Sequence, residues 1–225
     1  MTAPRKARSA LDLATVVLSL MVGALGIWTI LAGPTELLPI HYNAAGQADD
    51  WGSRELLGGG LAGLALLTLL LGGGMALAAG RTDDPARRRA LRYAQLVVVL
   101  SIPLISLLIA SASLSGATDI SGALPVALMS LVILLIGAFL GRVGPNPFVG
   151  VRTPWAYKSR LSWERSNRLA GRLFFVIGLA GLLTAPFAPQ PLGLYAIVGA
   201  IVLAAVWSGV ESWRVWRTDP DRQPF

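Results

Sequence analysis

The chain has a single histidine, His41, within Pro39-Ile-His-Tyr-Asn-Ala-Ala-Gly-Gln-Ala-Asp-Asp-Trp-Gly-Ser53. An imidazole beside a carboxylate can relay a proton, and a His with nearby carboxylates can hold a metal. Here Asp49 and Asp50 supply carboxylates, and Asn43 supplies an amide. One histidine is a thin ligand set, so three roles stay open for this stretch. It can be a folded cap whose polar residues satisfy one another and the helix ends. It can be a binding site of His41, Asn43, Gly46, Asp49 and Trp51. It can also be a metal site. Asn43-x-x-Gly46 is a turn signal, because glycine reaches positive φ at little cost. Trp51 beside Gly52 suits a bilayer interface.

A second stretch, Gly144 to Arg168, is dense in Arg, Trp and Pro. Pro145 and Pro147 forbid helix at its start. Thr153 before Pro154 predicts a helix N-cap with proline in the first position. Beyond it, Arg160, Glu164, Arg165, Arg168 and Arg172 share one helical face, while Trp163, Ser166 and Ala170 share another. That pattern predicts an interfacial amphipathic helix running into a membrane span. It fits a basic segment on anionic lipid or a docking site for a partner. The cluster Arg152-Thr-Pro-Trp155 has an Arg and a Trp beside a rigid turn.

No nucleophile elbow, HExxH, Walker loop or paired-carboxylate motif occurs. No residue is assigned to catalysis, to a cofactor or to a metal, and the chain is expected not to be an enzyme. Cysteine is absent, which excludes disulfides, thiol catalysis and Cys-based metal sites. Gly58–Gly63 matches G-x-G-x-x-G, but no strand precedes it, so it is not read as a dinucleotide site. Gly59-x-x-x-Gly63 and Gly137-x-x-x-Gly141 have instead the spacing that lets helix backbones approach closely.

The elements that must hold these stretches follow from the charge distribution. The 225 residues are 54% hydrophobic and 14% charged, against about 25% charged in an average soluble domain. Charges are absent from residues 13–35, 56–80, 93–118, 120–141 and 173–210. A bilayer core of about 30 Å needs roughly 20 apolar residues in a helix. The last stretch would be a single helix roughly 57 Å long. Pro186, Pro189 and Pro191 divide it. The expectation is an all-α, polytopic membrane protein with six transmembrane helices. They lie near 13–32, 56–79, 93–112, 120–140, 169–185 and 192–210. Residues 1–12 form a first tail with Arg5, Lys6 and Arg8, read as preceding a retained span rather than a cleaved signal. The organisation is then spans 1–2 in 13–80 with an outer loop at 33–55, and spans 3–4 in 81–141. A basic loop at 142–172, spans 5–6 in 173–210 and a tail at 211–225 follow.

Six spans put eighteen of the nineteen Lys and Arg on one side and only Arg54 on the other. The positive-inside rule makes the basic side, and both termini, cytoplasmic. The net charge of +7 is then a topology signal. The expected partner is the bilayer with its anionic inner leaflet, with no direct nucleic-acid contact.

Asn146-Pro-Phe-Val-Gly-Val-Arg-Thr-Pro-Trp155, with Trp163 and Asn167-Arg168, resembles the signature of the SdpI immunity-protein family. The stretch from Pro39 to Gly52 resembles the small domain that commonly precedes it. The resemblance spans about Leu13 to Leu183. It implies a bacterial plasma-membrane protein that protects against a secreted, membrane-active peptide toxin and can hold a cytoplasmic regulator at the membrane. It places Asn146, Gly150, Arg152, Thr153, Pro154, Trp155 and Trp163 in the family's cytoplasmic signature, and His41, Asn43, Gly46 and Trp51 in its outer one. The chain departs from the family at Ala156-Tyr157 and at Asn167, where the family often has His. The alternative is a small-molecule transporter with its substrate between the helices.

Overall fold

The computed structural model describes residues 9–146 and 149–224. Arg5, Lys6, Arg8 and Pro147 therefore lie outside the described residues. Seven α-helices occur among them: α1 (Ala10–Ala32), α2 (Arg54–Arg81), α3 (Pro85–Leu114), α4 (Leu124–Leu140), α5 (Pro154–Tyr157), α6 (Arg160–Thr184) and α7 (Leu192–Thr218). Two short strands, β1 (Leu38–Tyr42) and β2 (Ala48–Gly52), pair antiparallel. Five helices, α1, α2, α3, α6 with its closing 3-10 turn, and α7, are long and apolar enough to cross a membrane. The chain is a multi-pass, helical membrane protein. The sixth apolar helix, α4, has 17 residues, about 25 Å.

Several helices run beyond their apolar stretches. Asp84 caps α3 by accepting from the Ala86 amide at 2.9 Å, and Pro85 takes the first position. The basic segment Arg87–Arg92 is thus the opening of α3, not a loop. Ser9 and Asp12 close a capping box on α1. The predicted break between the last two spans is present: α6 ends at Thr184, and Pro189 and Pro191 stand in the turn before α7.

The chain divides into two compact units, one of α1 to α3 with the strands through Ile120, the other of α4 to α7 from Ser121 together with Ala44–Gly46. In the first, the buried face of α1 is Thr15, Ser19, Val22, Gly26 and Thr29. The facing residues of α2 are Gly58, Leu61, Ala65, Thr68 and Gly72. Both series step by three and four, the spacing of a helix seam. Small residues dominate the seam, with Val22 and Leu61 among them, while many leucines face outward: Leu20, Leu31, Leu70 and Leu77 are all exposed. That is the expected pattern in lipid, where close packing rather than water exclusion joins helices. The structure corrects one expectation here. Gly59 and Gly63 meet nothing within 4 Å; Gly58 is the contact, against the backbone of Gly26. In the second unit, Gly137 and Gly141 do pack, against Phe174, Phe175, Arg168 and Gly171 on α6.

A second correction concerns residues 33–55, for which no strand was expected. Leu38 inserts beside Val22, Leu57, Leu61 and Ala110, and the hairpin runs over it. Residues 117–119 brace the hairpin: the Tyr42 hydroxyl donates to the Ala117 carbonyl at 2.9 Å, and the Ala48 amide donates to the Thr118 carbonyl at 2.8 Å.

Candidate functional site

The loop after α4 is built around one buried tryptophan. Trp163 is fully buried on α6, and its indole Nε1 donates to the Val143 carbonyl at 2.9 Å. One turn on, Asn167 is also buried. Its Oδ1 accepts the Val151 amide at 2.7 Å, and its Nδ2 donates to the Trp163 carbonyl at 2.9 Å. Gly150 crosses over both side chains with φ +134°. A Cβ there would stand 2.6 Å from Asn167 Oδ1 and 2.9 Å from the Trp163 ring, so both the backbone and the space require glycine. Asn146 shapes the preceding turn: its Nδ2 donates to the Gly144 and Val149 carbonyls, and its Oδ1 accepts the Val149 amide at 2.8 Å. Four predicted site residues, Asn146, Gly150, Trp163 and Asn167, are therefore brought into one knot.

Arg152 projects from this knot and is exposed. Its Nε donates to the Tyr157 hydroxyl at 2.7 Å, and the Tyr157 ring lies 5.8 Å from that of Trp163. The aromatic at 157, one of the departures from the family pattern, is thus what positions Arg152. Thr153 does cap a helix, accepting the Ala156 amide at 3.1 Å, but that helix is only the single turn α5. Ser159 starts the long helix by accepting the Ser162 amide at 2.8 Å. The helix expected to run on from Thr153 is therefore two helices, broken at Lys158. Pro154 is exposed at the head of α5, while Trp155 lines a cavity of about 360 Å³ with Val206, Gly209, Val210 and Trp213.

Sequence reasoning missed a seam of hydroxyls that fastens this loop to α7. Thr153 Oγ1 bonds to Ser212 Oγ. Ser162 Oγ donates to the Ser212 carbonyl at 2.6 Å, and Ser159 Oγ donates to Asp219 at 2.5 Å. The available signal was small polar residues at helical spacing, Ser159, Ser162 and Ser166 on one helix and Ser208 and Ser212 on the other.

In the hairpin, His41 Nδ1 and Asp49 Oδ1 lie 2.6 Å apart, with both side chains open to solvent. Asn43 shapes the turn between the two strands. Its Oδ1 accepts the Gln47 amide at 3.1 Å, closing the turn in which Gly46 takes φ +83°. Trp51 is 46% exposed. Among the described residues no three His, Cys, Asp or Glu side chains converge as a metal site would need. Burial pushes the Tyr42 phenol above its ordinary pKa of 10.0.

A charged network joins α1 to α3. Asp12 pairs with Arg92. Arg92 donates to Gln95 Oε1 at 2.8 Å, and Gln95 Nε2 donates to Thr15 Oγ1 at 2.9 Å. Gln95 is fully buried, so this network satisfies it within the apolar unit.

No curated protein and no solved structure is significantly similar to the chain. Residues 142–210 hold the tryptophan knot, α5, α6 and most of α7. They match the family model of the SdpI/YfhL protein family, so over that segment this multi-pass membrane protein is similar to the SdpI/YfhL family.

Proposed function

We propose that the protein is a bacterial plasma-membrane immunity and signalling protein, protecting its cell against a secreted, membrane-active peptide. The family match over 142–210 carries this reading. We further propose that α4 crosses the bilayer as a sixth span, with both termini in the cytoplasm. The distribution of Lys and Arg supports that orientation. The hairpin then faces outward with the His41–Asp49 pair and Trp51 available to a peptide. The tryptophan knot faces inward and presents Arg152 to a cytoplasmic regulator. The hydrogen bond from Arg152 to the Tyr157 hydroxyl supports the signalling half, because an oriented Arg offers a partner carboxylate a defined geometry.

The test is survival of sensitive cells, with and without expression, against a panel of secreted membrane-active peptides. Protection is expected against at least one. His41→Ala should reduce it without changing the amount of protein in the membrane. Arg152→Ala should leave protection intact and weaken recruitment of the regulator. No protection, together with no binding of any peptide to the purified protein, would sink the proposal. Ion-coupled transport between the helices finds less support in the placement of the charged groups. The Asp12 network lies in the first turns of α1, not at mid-span.

A further inference from the structure

Between α4 and α6 is an open cavity of about 600 Å³. Arg142, Arg168 and Arg172 stand around it, and Ala138, Phe175 and Val176 form its apolar wall. Arg168 and Arg172 are one turn apart on α6, while Arg142 follows the end of α4. The close crossing at Gly141 and Gly171 makes a shallow groove between the two backbones.

These three arginines differ from others in the chain. Arg54, Arg92, Arg160 and Arg214 each hold a carboxylate. The side chains of Arg142, Arg168 and Arg172 make no ion pair or hydrogen bond among the described residues, and no carboxylate lines the cavity. Arg142, Arg168 and Arg172 are all exposed, and three like charges around one cavity favour an anion between them. Guanidinium groups match phosphate oxygens in charge and in fork geometry. The apolar side of the cavity is also open: Phe175 is 41% and Val176 62% exposed. Arg172 immediately precedes the uncharged run 173–210, so the charges sit where α6 enters the hydrocarbon. A phosphate at the arginines with an alkyl chain along Phe175 and Val176 satisfies both halves at once.

We propose that this cavity binds one anionic phospholipid, its phosphate held by Arg142, Arg168 and Arg172 and its chain laid against Phe175 and Val176. The proposal needs only the multi-pass membrane character of the chain, and stands apart from any immunity role.

Native mass spectrometry of the purified full chain, titrated with phosphatidylglycerol or phosphatidylcholine in detergent, tests it. One phosphatidylglycerol is expected to be retained in preference to phosphatidylcholine. The triple variant R142Q/R168Q/R172Q should weaken that retention on the order of a hundredfold, at about a kcal/mol per arginine. Ala138→Trp fills the cavity with the charges intact and should remove the same bound lipid. Loss of three arginines elsewhere, in R214Q/R217Q/R222Q, should leave it bound. Equal retention of phosphatidylcholine, an unaffected triple variant, or equal loss in the C-terminal control would each overturn the proposal. So would displacement of the lipid by millimolar inorganic phosphate, which would mark a site for a free anion. If Ala138→Trp fails to fold, the triple variant and its C-terminal control still decide, because among the described residues the side chains of the three arginines make no other ion pair or hydrogen bond.

Discussion

The Asn167 carboxamide accepts the Val151 amide at 2.7 Å, tying the loop after α4 to the helix sixteen residues further on. The other end of the same carboxamide donates to the Trp163 carbonyl. One buried side chain therefore fixes both the loop and the turn of helix beneath it. Asn167→Ala should leave the Val151 amide unsatisfied and destabilise the second unit by about 2 kcal/mol. Gly150→Ala should cost at least as much, since its Cβ meets that same carboxamide in a backbone conformation that favours glycine. Thermal unfolding in detergent measures both. Unfolding temperatures equal to wild type would mean that the loop is held from elsewhere.

Glycine positions that look alike in sequence should behave oppositely. Gly58→Ala places a methyl against the Gly26 backbone and the Ile30 side chain, and should loosen α1 from α2 by about 1–3 kcal/mol. Gly59→Ala and Gly63→Ala meet open space, and should be neutral or stabilising by up to about 1 kcal/mol. A Gly63→Ala penalty matching that of Gly58→Ala would place the helix contact on the wrong face.

Asp12 and Arg92 should be energetically coupled across α1 and α3. Removing either leaves the other charged and half-buried; removing both does not. A double-mutant cycle with D12A and R92A should give a coupling of about 1 kcal/mol, tempered by the partial exposure of the pair. Strictly additive effects would show that solvent screens the pair completely.

The Tyr42 hydroxyl braces the hairpin by donating to Ala117, and its pKa in the folded protein is raised by burial. Folding therefore favours the neutral phenol. The stability it contributes is complete below the ordinary pKa of 10.0 and is lost as pH rises through the higher, folded value. Tyr42→Phe lacks the bond at every pH and should show a flat profile in that alkaline window. Exchange of the Ala48 amide with solvent, followed with pH, separates the two behaviours; parallel curves would count against the brace.

The helices were largely legible in the sequence, because a run of twenty uncharged residues has few other uses. Their contact faces were not. In a soluble helix the buried stripe is the apolar one, but here every face is apolar and the buried stripe is merely small, as at Ser19, Gly26 and Gly58. The hairpin leaves little trace in the sequence because each strand has only five residues, one of them opening Leu38-Pro39 and the other carrying Asp49-Asp50. Strand alternation over so few residues, with proline and acids inside it, is a weak signal. For the site, Arg152, Thr153 and Trp155 were legible as a dense cluster. The partners that give Trp163 and Thr153 their geometry, Val143 and Ser212, are ordinary residues far away in sequence. Asn167 was noticed as a departure from the family, yet its bond to Val151 depends on the path of a loop that no local pattern dictates.

The short length of α4 has a consequence for the lipid around it. If this helix spans as proposed, its 17 residues present about 25 Å of oily surface to a layer about 30 Å deep. The two leaflets must draw together beside it, or the flanking side chains must stretch to make up the difference. Placing the same protein in bilayers of shorter and longer acyl chains would then strain α4 more than the 30-residue α3, so membrane thickness becomes a variable that acts on this part of the molecule first.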